Sequence, residues 1–346
     1  IMRAGSITGP RQFEIIDVPE PAPSATGAVV EIALCGICGS DVHAYVEGWD
    51  YPSNLCGHEW LGTVVAIGNQ VNNVAEGDLV MGGITPGCGA CSYCVAGHPQ
   101  YCRPAARDYN GMGPDPSPSG GFAPLIGLDA TRLAVMPEGI TAVQGALVEP
   151  TSVAFHAVRQ SRQRPGDVVV VVGAGPIGQL TAQCAKLAGA GLVIVVEPDP
   201  QRRAMATDFG ADLVFEPGPD LRRQVRALTN GMGADVAYDA AGVPQTLEAS
   251  IDLVRRGGSV CLVGVTSAPA EVRTNRWLTK ELTITTSIVF TIAEATRVAR
   301  LIVDGRLQVE ALHQGTVSLD ELPSTIEKYA TRDLTALKIM VDPTGG

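Results

Sequence analysis

The spacing of hydrophobic and polar residues divides the chain into regions with different periods. Within residues 1–150, short alternating stretches such as AVVEIALCG and LGTVVAIG lie between turns rich in glycine and proline. Alternation with a period of two predicts β-strands with one buried face. We therefore expect a mostly β domain over residues 1–150.

A different pattern starts near residue 165, where PGDVVVVVGAGPIGQLTAQCAKLAGAG gives an apolar run, a glycine turn and a helix of small residues. A wholly apolar strand is typical of a parallel sheet covered on both faces. Further strands are predicted at LVIVVEP, ADLVF, ADVAYDAAG, GSVCLVG and LTITTSIV. The intervening helices are predicted near 200–209, 220–229 and 245–256. This alternation predicts a doubly wound α/β sheet over residues 151–292, and residues 293–346 should return to the first domain.

Composition limits the class of protein and its partners. Hydrophobic residues make up 45% of the 346 residues and charged residues 18%, as in ordinary globular proteins. The formal charge of −11 disfavours nucleic acid as a partner, because binding to phosphates needs a basic surface. The sequence shows neither an apolar run that would span a membrane nor the plan of a signal peptide. A cytoplasmic protein without a membrane partner is therefore expected.

Four of the nine cysteines fall within GCGACSYCVAGHPQYC, residues 87–102. In a reducing compartment such a cluster favours a metal over disulfides. An iron–sulfur run that begins in this way would place its fourth cysteine earlier and follow it with proline. Four thiolates can instead close around one zinc, so we predict a structural zinc site with the ligands Cys88, Cys91, Cys94 and Cys102.

The glycine turn predicts a dinucleotide site, because VVVVVGAGPIG has the G-x-G-x-x-G spacing that brings a pyrophosphate to a helix N-terminus. The residues expected to bind the cofactor at this turn are Gly173, Gly175, Pro176, Ile177 and Gly178. Glu197 follows where a carboxylate would bind the ribose hydroxyls and repel the 2′-phosphate of NADP. NAD is therefore the expected cofactor. Arg202 and Arg203 leave NADP as the less favoured alternative, since an arginine can accept that phosphate.

A closed zinc site leaves no position for a substrate, so the chemistry must lie elsewhere. Two segments carry further metal-binding residue types, CGICGSDVH at residues 35–43 and CGHEWLG at residues 56–62. Each of these residues alone is more often a buried thiol or a surface group than a ligand. Their joint occurrence beside a dinucleotide fold favours a second, catalytic metal site.

Together these motifs resemble those of the zinc-dependent medium-chain dehydrogenases, the alcohol and polyol dehydrogenase superfamily. CGICGSDVH, GHEWLGTVVAIG, the four-cysteine loop, EPTSVAFHAV and VVVGAGPIG occur in that family's order and spacing. The likeness covers nearly the whole chain and is greatest to the sorbitol and threonine dehydrogenase branch, because Glu149 stands where liver-type alcohol dehydrogenases carry a cysteine. It implies a GroES-like catalytic domain beside a Rossmann domain, and a homodimer or homotetramer.

The resemblance also implies ligands for the catalytic zinc. Cys38 and His58 match two of them, and Glu59 and Glu149 both match positions that supply the carboxylate, so the choice between them stays open. One thiolate, one imidazole and one carboxylate with an open fourth position are typical of catalytic zinc. Cys35, like Cys56, matches no ligand position and should be a buried thiol.

Ser40 and His43 match the family's proton relay, in which a hydroxyl beside the metal passes the alcohol proton towards an imidazole near solvent. The alternative for Ser40 is a helix N-cap. The expected enzyme is a zinc-dependent alcohol dehydrogenase or ketone reductase. A noncatalytic dinucleotide-binding protein would need a damaged site, and a zinc-free quinone or enoyl reductase would lack the ligands, which are present here.

The substrate is predicted from what the pocket lacks. Polyol dehydrogenases of the branch that this sequence resembles carry a tyrosine and an arginine that bind substrate hydroxyls. This sequence has Ala44 and Val289 at those positions. Desolvating several hydroxyls without partners is costly, which favours a less polar secondary alcohol. A polyol, amino alcohol or cyclitol is the alternative. The residues expected to line the pocket are Trp49, Tyr51, Met112, Phe122 and Phe290.

Overall fold

The computed structural model describes residues 1–48, 56–83, 87–103 and 120–345. The chain divides into two compact units. Unit 1 contains Ile1–Glu149, Phe290–Gly305 and Val309–Gly346. Unit 2 contains Pro150–Val289 and Arg306–Gln308.

The described residues form strands and helices in both units. The strands are β1 Met2–Gly9, β2 Gln12–Val18, β3 Gly27–Gly36, β4 Glu59–Ile67, β5 Leu79–Gly82, β6 Leu125–Asp129, β7 Leu133–Val135, β8 Val168–Val172, β9 Leu192–Val196, β10 Leu213–Phe215, β11 Ala234–Asp239, β12 Val254–Leu262, β13 Thr283–Thr286, β14 His313–Ser318 and β15 Lys338–Asp342. The helices are α1 Gly39–Glu47, α2 Ser92–Val95, α3 Ala142–Ala146, α4 Val148–Gln160, α5 Pro176–Leu187, α6 Pro200–Asp208, α7 Leu221–Leu228, α8 Pro244–Leu253, α9 Thr274–Lys280, α10 Ile292–Val303 and α11 Leu322–Ala330. Of the helices in the described ranges, none has the length and apolar character needed to cross a membrane.

Unit 1 is built on a seven-stranded sheet with the order β14-β15-β3-β4-β5-β7, in which β6 also pairs with β3. Strands β3 and β4 are antiparallel, and Gly36 at the end of β3 lies opposite Glu59 at the start of β4. Strand β15 pairs with the other edge of β3, where Met340 lies opposite Gly36. The chain segments that leave β3 and enter β4 therefore meet at one end of the sheet.

The core of unit 1 includes several residues singled out in the sequence. Cys35 and Cys56 are both buried there, as expected. Phe122 is fully buried, and its ring centroid lies 6.4 Å from that of Phe13. A side chain without exposed surface has none to offer a substrate, so Phe122 is a core residue and not a pocket wall. Ala44 is equally buried in this core, so position 44 does not report on the polarity of a substrate.

Unit 2 contains a six-stranded parallel sheet with the order β10-β9-β8-β11-β12-β13. This confirms the doubly wound sheet predicted from the alternating pattern. The strand order reverses between β8 and β11, and ligands of such sheets bind beyond the carboxyl ends of the strands at this switch point. The helix predicted at 245–256 ends earlier, at Leu253, because the chain from Val254 onwards pairs with β11 as a strand.

Candidate active site

The four cysteines of the predicted zinc loop converge in unit 1. The sulfurs of Cys88, Cys91, Cys94 and Cys102 all lie within 4.8 Å of one another. Backbone N–H groups turn towards these sulfurs, as in the bond that Cys91 N donates to Cys88 Sγ at 3.3 Å. Hydrogen bonds from the backbone of Ala90 and Cys91 lower the pKa of Cys88 to about 7, which favours the thiolate form. This donor set suits a tetrahedral zinc and would leave no open position.

A second group of metal-binding side chains lies at the end of the sheet where β3 and β4 meet. Ligand atoms of Cys38, His58 and Glu59 lie within 4.8 Å of one another. Cys38 is the N-cap residue of α1, while His58 directly precedes β4 and Glu59 begins that strand. The antiparallel pairing of β3 and β4 brings these segments together, although they are far apart in sequence.

Asp41 fastens the two ligand-bearing segments to each other and is fully buried. Its carboxylate accepts hydrogen bonds from Cys38 N at 3.0 Å and Gly57 N at 3.5 Å, and its Oδ1 lies 3.8 Å from His58 Nδ1. Because Nδ1 of His58 faces Asp41, Nε2 is the ring nitrogen that could bind a metal, as in many metal sites where a carboxylate orients an imidazole. The motifs in the sequence did not single out Asp41 as part of the site.

The electrostatics of this group favour a cation. Burial alone would lower the pKa of His58, but the neighbouring Cys38 and Asp41 raise it well above its ordinary value. Glu149, in the first turn of α4, is also buried, and burial raises its pKa to about 7 while His58 lowers it. Several acidic groups and a thiol thus share one buried region, which is the environment that a divalent metal would neutralise.

Lys338 was missed in the sequence and lies in the same region. Its side chain is 3% exposed, and its ammonium donates to both oxygens of Glu59, at 2.8 and 2.5 Å. The signal that could have revealed it is a single lysine within the apolar stretch ALKIMVDP. A lysine is rarely buried unless it is paired, so this position predicts a buried acidic partner. No motif in the chain pointed to Glu59 as its partner.

The two predicted relay residues both lie on α1. Ser40 Oγ is 3.5 Å from His58 Nε2, and the N-cap of the helix is Cys38, so Ser40 does not cap it. The side chain of His43 is 44% exposed and its Nδ1 lies 3.8 Å from Glu47. One hydroxyl next to the candidate metal ligands and one imidazole at the surface are thus carried by the same helix.

The glycine turn of unit 2 has the geometry of an anion cradle. Gly173 adopts a φ of +96°, which favours glycine. A methyl group on Gly178 would overlap the carbonyl oxygen of Gly173, so this glycine is needed for close packing of α5. A methyl group on Gly175 would meet no atom of the described residues within 4 Å, apart from its own neighbours in the chain. That open space precedes Pro176 and Ile177 at the N-terminus of α5, where a pyrophosphate fits.

Glu197 directly follows β9 and is held beside this turn. Its two carboxylate oxygens accept hydrogen bonds from Ala174 N at 2.7 Å and Asp199 N at 2.9 Å. Each oxygen keeps a free lone pair for a further donor. Arg203 is used structurally, since it donates to the Glu197 carbonyl at 2.7 Å, whereas the half-buried Arg202 side chain has no polar partner among the described residues.

Three of the residues predicted to line the substrate pocket, Trp49, Tyr51 and Met112, lie outside the described residues. Phe290 is buried in unit 1, next to Gly83. Val289, where the polyol branch would carry an arginine, adopts a φ of +58°. This backbone conformation is rare for a β-branched residue.

Comparison with known proteins agrees with the site. Residues 24–138 match the model of the alcohol dehydrogenase GroES-like domain, and residues 176–304 match that of the zinc-binding dehydrogenases. The chain is 32% identical to a 2-dehydro-3-deoxy-L-galactonate 5-dehydrogenase of Pseudoalteromonas atlantica, over 93% of this chain and 94% of that protein. It is 31% identical to the sorbitol dehydrogenase of Bacillus subtilis, over 77% and 76%.

Among solved structures, a Sinorhizobium meliloti protein assigned as a zinc-binding dehydrogenase and bound to NADP has a TM-score of 0.87 and 30% identity, covering 99% of both chains. Fold, site and relatives define a zinc-binding oxidoreductase. The chain belongs to the zinc-dependent medium-chain dehydrogenases of the alcohol dehydrogenase superfamily. The family and the enzyme class predicted from the motifs are thereby confirmed.

Proposed function

We propose that this protein transfers hydride between a secondary alcohol and NAD, with one catalytic and one structural zinc per chain. The convergence of Cys38, His58 and a carboxylate within 4.8 Å carries this proposal. A zinc ion held there would act as a Lewis acid that lowers the pKa of an alcohol or polarises a ketone.

The residues of this chain then supply orientation and a route for the proton. Asp41 holds Cys38 and His58 in place through the contacts described above. Ser40 Oγ lies beside His58 Nε2 at 3.5 Å, so it can accept the proton of an alcohol bound at the ligands. His43, which is exposed on the same helix, is the proposed group that exchanges the proton with solvent.

The preference for NAD rests on Glu197. A carboxylate with free lone pairs beside the glycine turn suits the ribose hydroxyls and opposes a 2′-phosphate. NADP is the alternative, supported by the NADP-bound relative and by Arg202, whose side chain has no polar partner in the described ranges. Tighter binding of NADPH than of NADH would contradict the proposed preference.

A polyol or sugar-derived substrate is the second candidate. The names of the Bacillus subtilis and Pseudoalteromonas atlantica relatives favour it. Because position 44 faces the core, its alanine does not oppose a polyol, and only Val289 still favours a less polar substrate.

The test is a panel of secondary alcohols, diols, sorbitol and amino alcohols followed at the NADH absorbance, together with metal analysis. We expect two zinc ions per chain and the highest kcat/KM for a simple secondary alcohol with NAD. A higher kcat/KM for sorbitol would favour the second candidate. One zinc ion without turnover of any alcohol would overturn the proposed function.

Two glycine variants separate the packing of the glycine turn from cofactor binding. Gly178→Ala places a methyl group against the Gly173 carbonyl, and overpacking of this kind costs about 1–3 kcal/mol of stability. Gly175→Ala, the matched variant, enters open space and should leave the thermal unfolding temperature unchanged. It should weaken NADH binding by at least about tenfold in a fluorescence titration, because its methyl group takes the space of the pyrophosphate. Unchanged NADH binding by Gly175→Ala would exclude this cradle as the cofactor site.

A further inference from the structure

The short segment between β9 and α6 carries Glu197, the carboxylate proposed to select the cofactor. Asp199 in this segment is the N-cap residue of α6, and its side chain accepts hydrogen bonds from Gln201 N and Arg202 N, both at 2.9 Å. The backbone N–H of Asp199 donates to Glu197 Oε1, also at 2.9 Å. The start of α6 and the orientation of the Glu197 carboxylate are therefore coupled through one residue.

Arg203, near the start of α6, reaches back to this segment. Its Nη1 donates to the carbonyl oxygens of Glu197 at 2.7 Å and Pro198 at 2.5 Å. Its Nη2 lies 3.7 Å from Oε2 of Glu216, whose side chain is 70% exposed. An exposed ion pair contributes little, whereas a charged donor forms strong hydrogen bonds. The main contacts of Arg203 are therefore with two successive backbone carbonyls.

Glu197 is held on its strand side by other groups. Its N–H donates to the carbonyl of Phe215 at 3.0 Å, which continues the pairing of β9 with β10. Its Oε2 accepts a hydrogen bond from Ala174 N in the glycine turn at 2.7 Å. Arg203 holds the opposite side, where the chain leaves the strand. Removing its donors should therefore leave β9 paired but release the peptide that aims the carboxylate.

Arg202, one residue earlier, makes none of these side-chain contacts. Its carbonyl accepts a hydrogen bond from Gln179 Nε2 at 3.1 Å, but its half-buried guanidinium has no polar partner in the parts of the chain that the structure describes. A guanidinium without partners can accept a phosphate, whereas one that already donates to backbone carbonyls is less available for it. The two neighbouring arginines therefore differ in what they can do for a cofactor.

We propose that Arg203 is a positioning residue that gives the protein its preference for NAD, because it holds Glu197 where the carboxylate would face the ribose hydroxyls. This inference rests on the proposed preference for NAD. A carboxylate that is held in place cannot turn away from a 2′-phosphate, so the contacts that favour NAD also oppose NADP. An arginine six residues after the acidic residue, which by sequence alone would favour NADP, thus acts against it.

The test compares Arg203→Met with the matched variant Arg202→Met in fluorescence titrations with NADH and NADPH. In Arg203→Met we expect the affinity for NADH to fall by about tenfold, the effect of losing one hydrogen bond of a charged group. The affinity for NADPH should change little, so the preference for NADH falls by the same factor. Arg202→Met removes an equal charge from the adjacent position without touching the two carbonyls, and the preference for NADH should not fall.

Amide hydrogen exchange of the cofactor-free protein tests the positioning directly. The amides of Ala174 and Asp199 donate to the Glu197 carboxylate, so they should exchange faster in Arg203→Met and at the wild-type rate in Arg202→Met. Circular dichroism should be unchanged in both variants, because the Arg203 side chain is 21% exposed and pairs no strands.

A merely structural arginine would give a different result. An equal loss of affinity for NADH and NADPH in Arg203→Met, or unchanged exchange at these two amides, would overturn the inference. The same holds if Arg202→Met loses as much of the preference as Arg203→Met, since charge and not position would then decide it. Failure of the proposed preference for NAD is distinguishable, because the wild-type protein itself would then bind NADPH more tightly than NADH.

Discussion

Replacing Cys38 with serine is expected to lower kcat by more than about 100-fold, since even the loss of a group outside the ligand shell of a metal costs about 10–100-fold. Cys38, the N-cap residue of α1, is the proposed anionic ligand, and a serine hydroxyl in its place would stay neutral at pH 7. Zinc content should fall from two ions per chain to one. Circular dichroism should be unchanged, because the contacts of Asp41 with the Cys38 and Gly57 backbone remain.

Cys35→Ala is the matched control for this variant. Cys35 lies three residues earlier, is fully buried, and has a pKa that burial raises well above its usual value, as expected for an inert thiol. We expect Cys35→Ala to keep two zinc ions and wild-type kcat. If Cys35→Ala lost a zinc ion while Cys38→Ser kept both, the assignment of the ligand would be wrong.

Replacing Cys91 with serine is expected to lower the free energy of unfolding. Its sulfur lies 3.5 Å from that of Cys94 and 3.8 Å from that of Cys102, so its removal breaks up the four-sulfur cluster. Loss of a structural metal is among the changes that destabilise proteins most, so we expect the free energy of unfolding to fall by more than about 2 kcal/mol. Differential scanning calorimetry and zinc analysis should show a lower unfolding temperature and one zinc ion remaining.

Hydride transfer by the folded fraction of Cys91→Ser should stay close to that of the wild type. Ser92→Ala, at the exposed neighbouring position, should change neither stability nor zinc content. A Cys91→Ser protein that kept its stability and both zinc ions but lost turnover would contradict the division between a structural and a catalytic metal.

Sequence patterns predicted the fold well wherever the signal is local. The apolar run before Gly173 and the helix after it fixed a parallel strand, a turn and a helix, and unit 2 has them at those positions. The spacing of the cysteines between Cys88 and Cys102 likewise predicted their convergence. In both cases the residues that interact are close in the chain, so periodicity and spacing contain the relevant geometry.

Local patterns could not predict contacts between strands that are far apart in sequence. Lys338 and Glu59 are 279 residues apart, and only the order β15-β3-β4 brings them together. The role of Asp41 depends in the same way on the approach of Gly57 and His58. Ala44 and Phe122 were misjudged for a related reason, because the face of an element that meets the core depends on the tertiary packing around it.

The pairing of β15 with β3 has a consequence for the order of events during synthesis. Unit 2 is almost contiguous in sequence, so its sheet can form as soon as β13 has left the ribosome. Unit 1 is completed later, because β15 provides both the strand that pairs with the end of β3 and the lysine that pairs with Glu59. Until then the nascent chain carries an unpaired strand edge and an uncompensated acidic cluster. Zinc that arrived during this interval would meet a Glu59 not yet engaged by its lysine.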